Sequence, residues 1–104
     1  VKNKMPSNLQ PYIEKLQNGE TVQFRPVGNS MVPKIFSKQL VTVSPDVSSI
    51  EIGDVLVCKV NGNILVHLVS AIQGERIQIS NNKGYVNGWT NKNKIYGKVI
   101  KIED

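Results

Sequence analysis

A serine can attack a carbonyl only where a sharp turn lifts its hydroxyl clear of the backbone and a base sits within hydrogen-bond reach. In this sequence Ser30 stands in the run Gly28-Asn29-Ser30-Met31-Val32-Pro33, and His67, the only histidine, lies 37 positions further on in an apolar stretch. Gly28 and Asn29 permit a tight turn, and Pro33 keeps a regular strand from absorbing it. The chemistry such a pair supports is acyl transfer, with Ser30 attacking while His67 takes its proton as general base and returns it as general acid. An imidazole with an ordinary pKa of about 6.5 is largely neutral near pH 7, so His67 needs orientation more than a lowered pKa. Read alone, a serine in a Gly/Asn turn is most often a turn residue, and a lone histidine in an apolar strand a hydrogen-bonded core group.

Other chemistries find fewer residues. Cys58 is the single cysteine, so no internal disulfide forms, and with one histidine no metal site is expected. Set in the alternating run VLVCKV, Cys58 reads as core packing. Lys59 beside it is an alternative base for a Ser-Lys pair, although a lysine near a strand end usually points to solvent. No cofactor is implied. The net charge of +5 raises nucleic acid as a partner, but lysines are scattered from Lys2 to Lys101, arginine occurs only at 25 and 76, and no basic run is interleaved with aromatics. Nucleic acid is therefore not expected. The longest apolar stretch, 64–72, is far short of the roughly 20 residues that span a bilayer. No membrane anchor or signal peptide is expected, and unpaired Cys58 fits the reducing cytoplasm. The sequence opens on Val1, with Met5 an equally good natural start.

The elements that must position Ser30 and His67 are mostly strands. At 104 residues, 39% apolar and 20% charged, the chain reads as one globular domain, 1–104, with one core and no second one. Residues 1–20 form an N-terminal helical segment, the helix itself expected over 8–16 with Ser7 as N-cap, Ile13 and Leu16 as its apolar face and Asn18-Gly19 as its end. Strands are expected over 21–25, 40–44, 55–60, 64–72, 76–80 and 94–102. Asn61-Gly62 between two β-branched runs marks a type I′ hairpin, whose central residues both need positive φ. Alternation over 64–69 puts Leu65, His67 and Val69 on one face and Ile64, Val66 and Leu68 on the other. The Asn/Gly-rich stretch 81–93 reads as one long irregular loop, with Tyr85 and Trp89 capping the core or meeting a partner. The expected fold is mainly β, a coiled sheet or partly open barrel with one short N-terminal helix.

Three blocks in order, RPVGNSMVPKI, IGDVLVCKV and ILVHLVSAI, resemble the serine-peptidase superfamily that joins type I signal peptidases to the LexA-type self-cleaving repressors. The resemblance runs from Thr21 to the closing YGKVIKI. It implies a serine endopeptidase acting on an extended peptide or protein substrate, with Ser30 as nucleophile and His67 where many relatives carry a lysine. The histidine-type relatives orient their base with an aspartate downstream, but no aspartate lies between His67 and Asp104. Asn81, Asn82 and Asn87 occupy that region, and Asp54 of the Gly-Asp block is a further candidate. The resemblance implies the Ser30 backbone N–H as an oxyanion donor. Some relatives place a second hydroxyl two positions earlier, where this chain has Gly28, so Asn29 or a backbone N–H would serve. Met31, Val32, Ile35 and Phe36 are candidates for a shallow pocket taking small apolar side chains. No DNA-binding helices are expected in the roughly 20 residues before the first strand, and no Ala-Gly bond is present for self-cleavage. The alternative is an inactive module of the same fold that binds a protein partner. Oligomeric state is left open.

Overall fold

A computed structural model describes residues 9–104. It contains one helix, α1 (Gln10–Gln17), and strands β1 (Val22–Phe24), β2 (Leu40–Ser44), β3 (Val55–Val60), β4 (Asn63–Gln73), β5 (Arg76–Ser80), β6 (Val86–Asn91) and β7 (Ile95–Glu103), with a 3-10 turn at Lys92–Lys94. The helix starts later than expected. Leu9 occupies the cap position with no side-chain bond, and Pro11 sits in the first turn, where its missing N–H costs nothing. The expected cap, Ser7, lies outside the described residues. At the other end Gly19 and Glu20 donate N–H bonds to the carbonyls of Leu16 and Lys15, at 3.0 and 2.9 Å, and close the helix.

The seven strands form one unclosed sheet in the order β1-β2-β7-β3-β4-β5-β6, every pair antiparallel. The β3–β4 hairpin turns at Asn61 (φ 48°) and Gly62 (φ 82°), both positive as a type I′ turn requires. Four pairings carry a register shift, between β2 and β7, β3 and β7, β4 and β5, and β5 and β6. Each extra residue bends its strand and increases the twist, so the sheet coils. The coil brings β6 back across β3, where the Thr90 hydroxyl donates to the Lys59 carbonyl at 2.8 Å.

Two expectations are corrected here. The stretch 81–93 is not one irregular loop, because β6 lies within it. Its sequence VNGWTN carries two asparagines and a glycine, which disfavour a strand, but pairing with β5 and packing over β3 override local propensity. The expectation of a single core also fails. Val55, Val57 and Val66 face a cluster with Ile13 and Leu16 of α1, Val22 and Phe24 of β1, and Val41 and Val43 of β2. On the opposite face, Leu56, Cys58 and Val60 pack with Val69, Ile77, Ile79 and Ile95. The two central strands are thus apolar on both faces, and the coiled sheet closes over each.

Candidate active site

β5 leaves β4 at Ser80, opposite Leu68, so residues 63–67 of β4 pair only with β3. The segment between β1 and β2 lies against that stretch of β4 and carries Ser30. Met31 and Ile35 anchor it by burial in the first cluster, and the Ile35 N–H donates to the Met31 carbonyl at 2.8 Å. Gly28, at φ 126°, makes the reversal before the serine in a region that a side chain would strain. Its N–H donates to Ser37 Oγ at 3.2 Å, and the Arg25 guanidinium closes the base of the loop on the Lys38 carbonyl at 2.7 Å. Asn82 holds the loop from outside. Its backbone N–H donates to the Ser30 carbonyl at 2.9 Å and its side-chain amide to the Val32 carbonyl at 3.2 Å.

His67 comes from the other cluster. It stands on the face of β4 that carries Leu65 and Val69, opposite Leu56 of β3, and is 3% exposed. Its Nε2 lies 2.9 Å from Ser30 Oγ, and its Nδ1 lies 2.7 Å from Asn87 Oδ1. An amide oxygen can only accept, so the ring carries its proton on Nδ1 and turns the Nε2 lone pair to the serine hydroxyl. Burial pushes the His67 pKa below its ordinary value, and the bond to Asn87 opposes this more weakly. The imidazole is therefore neutral near pH 7, the form that can take a proton.

Asn87 reaches His67 because of a β-bulge. Ile79 pairs with Gly88 and Ser80 with Val86, so Asn87 is the extra residue between two consecutive ladder positions. A bulge re-aims a side chain that regular alternation would send elsewhere. Gly88 follows at φ 146°, where a Cβ would come within 3.0 Å of Asn61 Nδ2 and 3.1 Å of Val60 Cγ1. The bare backbone thus lets β6 approach the β3–β4 turn, where the Asn61 amide donates to the Asn87 carbonyl at 3.4 Å.

A family model described as Peptidase S24-like matches residues 5–100. The chain belongs to the Peptidase S24-like family. No curated protein matches it. Membership of the Peptidase S24-like family makes the chain a peptidase-fold module and suggests a peptide or protein as its substrate. The matched span includes Ser30, His67 and Asn87.

The remaining candidates fall in several places. Met31, Ile35 and Phe36 line a narrow cleft of about 20 Å³ beside Ser30, together with Pro26, Val27 and Val66. Val32 does not line it, and its carbonyl accepts from Asn82 instead. Of the orienting candidates only Asn87 meets the imidazole. Asn81 Oδ1 accepts from the N–H groups of Lys83 and Tyr85 and folds the turn before β6. Asp54 accepts from the Glu51 N–H at 2.8 Å and faces Lys98 at 3.5 Å, shaping the turn into β3. The Asn29 carbonyl accepts from the Val32 N–H at 3.3 Å and so shapes the turn around Ser30. Lys59 is exposed at the far end of β3 from Leu56, whereas Cys58 is buried and its pKa is pushed up to about 12 by desolvation. Among the described residues no group of three or more His, Cys, Asp or Glu is placed to hold a metal ion, and no helix is long and apolar enough to cross a membrane. Asn82, an orienting candidate in the sequence, instead holds the serine loop, and sequence reasoning missed Asn61 on the Asn87 backbone. Neither follows a spacing rule, because both bonds join segments that meet only in the coiled sheet.

Proposed function

We propose that the chain is a serine endopeptidase in which Ser30 is the nucleophile, His67 the general base and then acid, and Asn87 the residue that fixes the imidazole. The observation that carries this reading is the unbroken line from Ser30 Oγ through both His67 ring nitrogens to Asn87 Oδ1, at 2.9 and 2.7 Å. Oγ attacks the carbonyl carbon of an extended peptide laid along a sheet edge, and its proton passes to Nε2. The Ser30 backbone N–H, with Asn29, supports the oxyanion that forms. Collapse of the tetrahedral species breaks the C–N bond while Nε2 returns the proton to the departing amine. Water, deprotonated by His67, then hydrolyses the acyl-Ser30 ester and releases the new carboxyl terminus. The cleft lined by Met31, Ile35 and Phe36 has room for about one methyl-sized group, so an alanine-like side chain beside the scissile bond fits it best.

A second reading is a partner-binding module without catalysis. It is favoured by the neutrality of Asn87, which gives the imidazolium no compensating charge, and by Gly28, which supplies no hydroxyl to an oxyanion. A fluorophosphonate probe separates the two. Peptidase chemistry gives a covalent adduct on Ser30 that disappears in both Ser30→Ala and His67→Ala, each expected to cost at least about 10³-fold in rate. Absence of any adduct from about pH 6 to about pH 9 in folded protein sinks the enzyme reading.

A further inference from the structure

A polar cleft of about 250 Å³, sharing no lining residue with the one beside Ser30, lies between the β3–β4 turn, β5 and the end of β6. Its lining includes Lys59, Arg76 and Lys94, the indole of Trp89, and the amides of Asn61 and Asn91, and no carboxylate lines it. These cations are far apart in sequence, which is why the charge looks scattered when read along the chain. Between positions 55 and 102 there are seven basic residues and one acidic residue, Glu75. Among the described residues the ion pairs join Lys98 to Asp54 and Lys101 to Glu103, so none of the three cations of the cleft is neutralised by a carboxylate. The Arg76 guanidinium lies 4.9 Å over the Trp89 ring. The attraction of the indole face holds the guanidinium beside the cleft and uses none of the N–H donors with which a fork pairs bidentately with a carboxylate.

We infer that this cleft binds an acidic segment of a partner polypeptide, with Arg76 gripping one carboxylate and Lys59 and Lys94 compensating its neighbours. Holding like charges together without a counter-charge costs stability, and an anionic ligand relieves that cost. The charges converge on one compact cleft instead of tracking along a surface as a nucleic-acid backbone requires, and Arg76 already covers one face of the indole that a base would stack on. The handling of peptides by this family points the same way. The inference is independent of catalysis by Ser30.

Trp89 is the only tryptophan and reports binding directly. In Ser30→Ala protein, which cannot cleave the probe by the proposed route, acetylated and amidated hexaglutamate is expected to give a saturable change in Trp89 emission that weakens as salt is added. Hexaglutamine should give none. Arg76→Gln, and separately the pair Lys59→Gln with Lys94→Gln, should each weaken binding about tenfold, with Arg76→Lys intermediate. The Lys94→Gln protein should keep its unfolding midpoint and, with Ser30 restored, its fluorophosphonate labelling. No saturable signal with hexaglutamate, equal binding by the charge-removed variants, or tighter binding of a single-stranded oligothymidylate of the same charge overturns the inference.

Discussion

The two faces of β3 carry cores built in different ways. On one, Val55 and Val57 are covered by α1, β1, β2 and the serine loop, segments brought in from the first 43 residues. On the other, Leu56 and Cys58 are covered by Val69 of β4, Ile77 and Ile79 of β5 and Ile95 of β7, while β6 follows β5 in a hairpin and curls back to β3 through the Thr90–Lys59 bond. Ser30 hangs from the first core through Met31 and Ile35, while His67 stands on the face of β4 that carries Leu65 and Val69 of the second, and Asn87 reaches it from β6. The 2.9 Å contact between serine and histidine is therefore set by how two independently covered cores share one pair of strands. Close packing in each core fixes the relative height of its polar residue more tightly than any single loop could.

The strongest way to break this division is at Asn87. Replacing it with leucine removes the acceptor that fixes the imidazole while keeping a side chain of similar size at that position, and fluorophosphonate labelling should slow by about 10²- to 10⁴-fold. Labelling at the unmodified rate would show that the ring is oriented by packing alone. Asn87→Asp tests the opposite sign. A carboxylate at that position favours the imidazolium, so the His67 pKa should rise and the acid limb of the labelling profile should move to higher pH.

Next in size are truncations of adjacent β3 residues that face opposite cores. Leu56→Ala should cost about 2–5 kcal/mol in chemical denaturation, and Val57→Ala about half as much, since fewer buried carbons are lost. They should also differ in kind. Leu56 lies directly across from His67, so the space it leaves lessens the burial of the ring and lets its pKa drift up towards 6.5, a change that NMR titration of the single histidine reads. An equal shift in Val57→Ala would show that the two cores are not separate supports.

The smallest expected effect is on stability against pH. The folded His67 pKa lies below the unfolded value of about 6.5, so the unfolded chain takes up the proton first as pH falls. The contribution of this group is complete above about pH 6.5, declines as pH drops from there to the folded pKa, and is constant below it, with a slope of at most about 1.4 kcal/mol per pH unit. Denaturation midpoints of the protein and of His67→Gln, compared across that window, isolate the contribution, because no other histidine titrates there. A difference that grows in favour of the parent protein as pH falls would reverse the sign of the shift.

Much of this was legible in the sequence where local signals were strong. The alternating runs of β3 and β4, the Asn61-Gly62 turn and the order of the serine and histidine blocks gave the mainly β fold and brought Ser30 and His67 forward as candidates. The second core also has a signal in the sequence. VLVCKV is apolar at five of its six positions, and a strand that is apolar at both odd and even positions is buried on both faces. β6 was hidden because Asn87 and Gly88 argue locally against a strand. Choosing among Asn81, Asn82 and Asn87 was beyond any periodicity, since the choice depends on a bulge whose existence is a property of the β5–β6 pair. The cationic cleft was illegible for a similar reason, its three charges being separated by 17 and 18 positions.

The bulge also separates folding from chemistry in an unusual way. Because Ile79 pairs with Gly88 and Ser80 with Val86, excising Asn87 would take no rung out of the ladder and would join two rungs that are already neighbours on β5. The acceptor for the imidazole is thus a one-residue insertion in an otherwise regular strand, carried by three nucleotides of coding sequence. A single in-frame deletion would thus remove the acceptor and leave the β5–β6 ladder paired, so the part of this fold that the proposed chemistry needs is separable from the part that holds the sheet together.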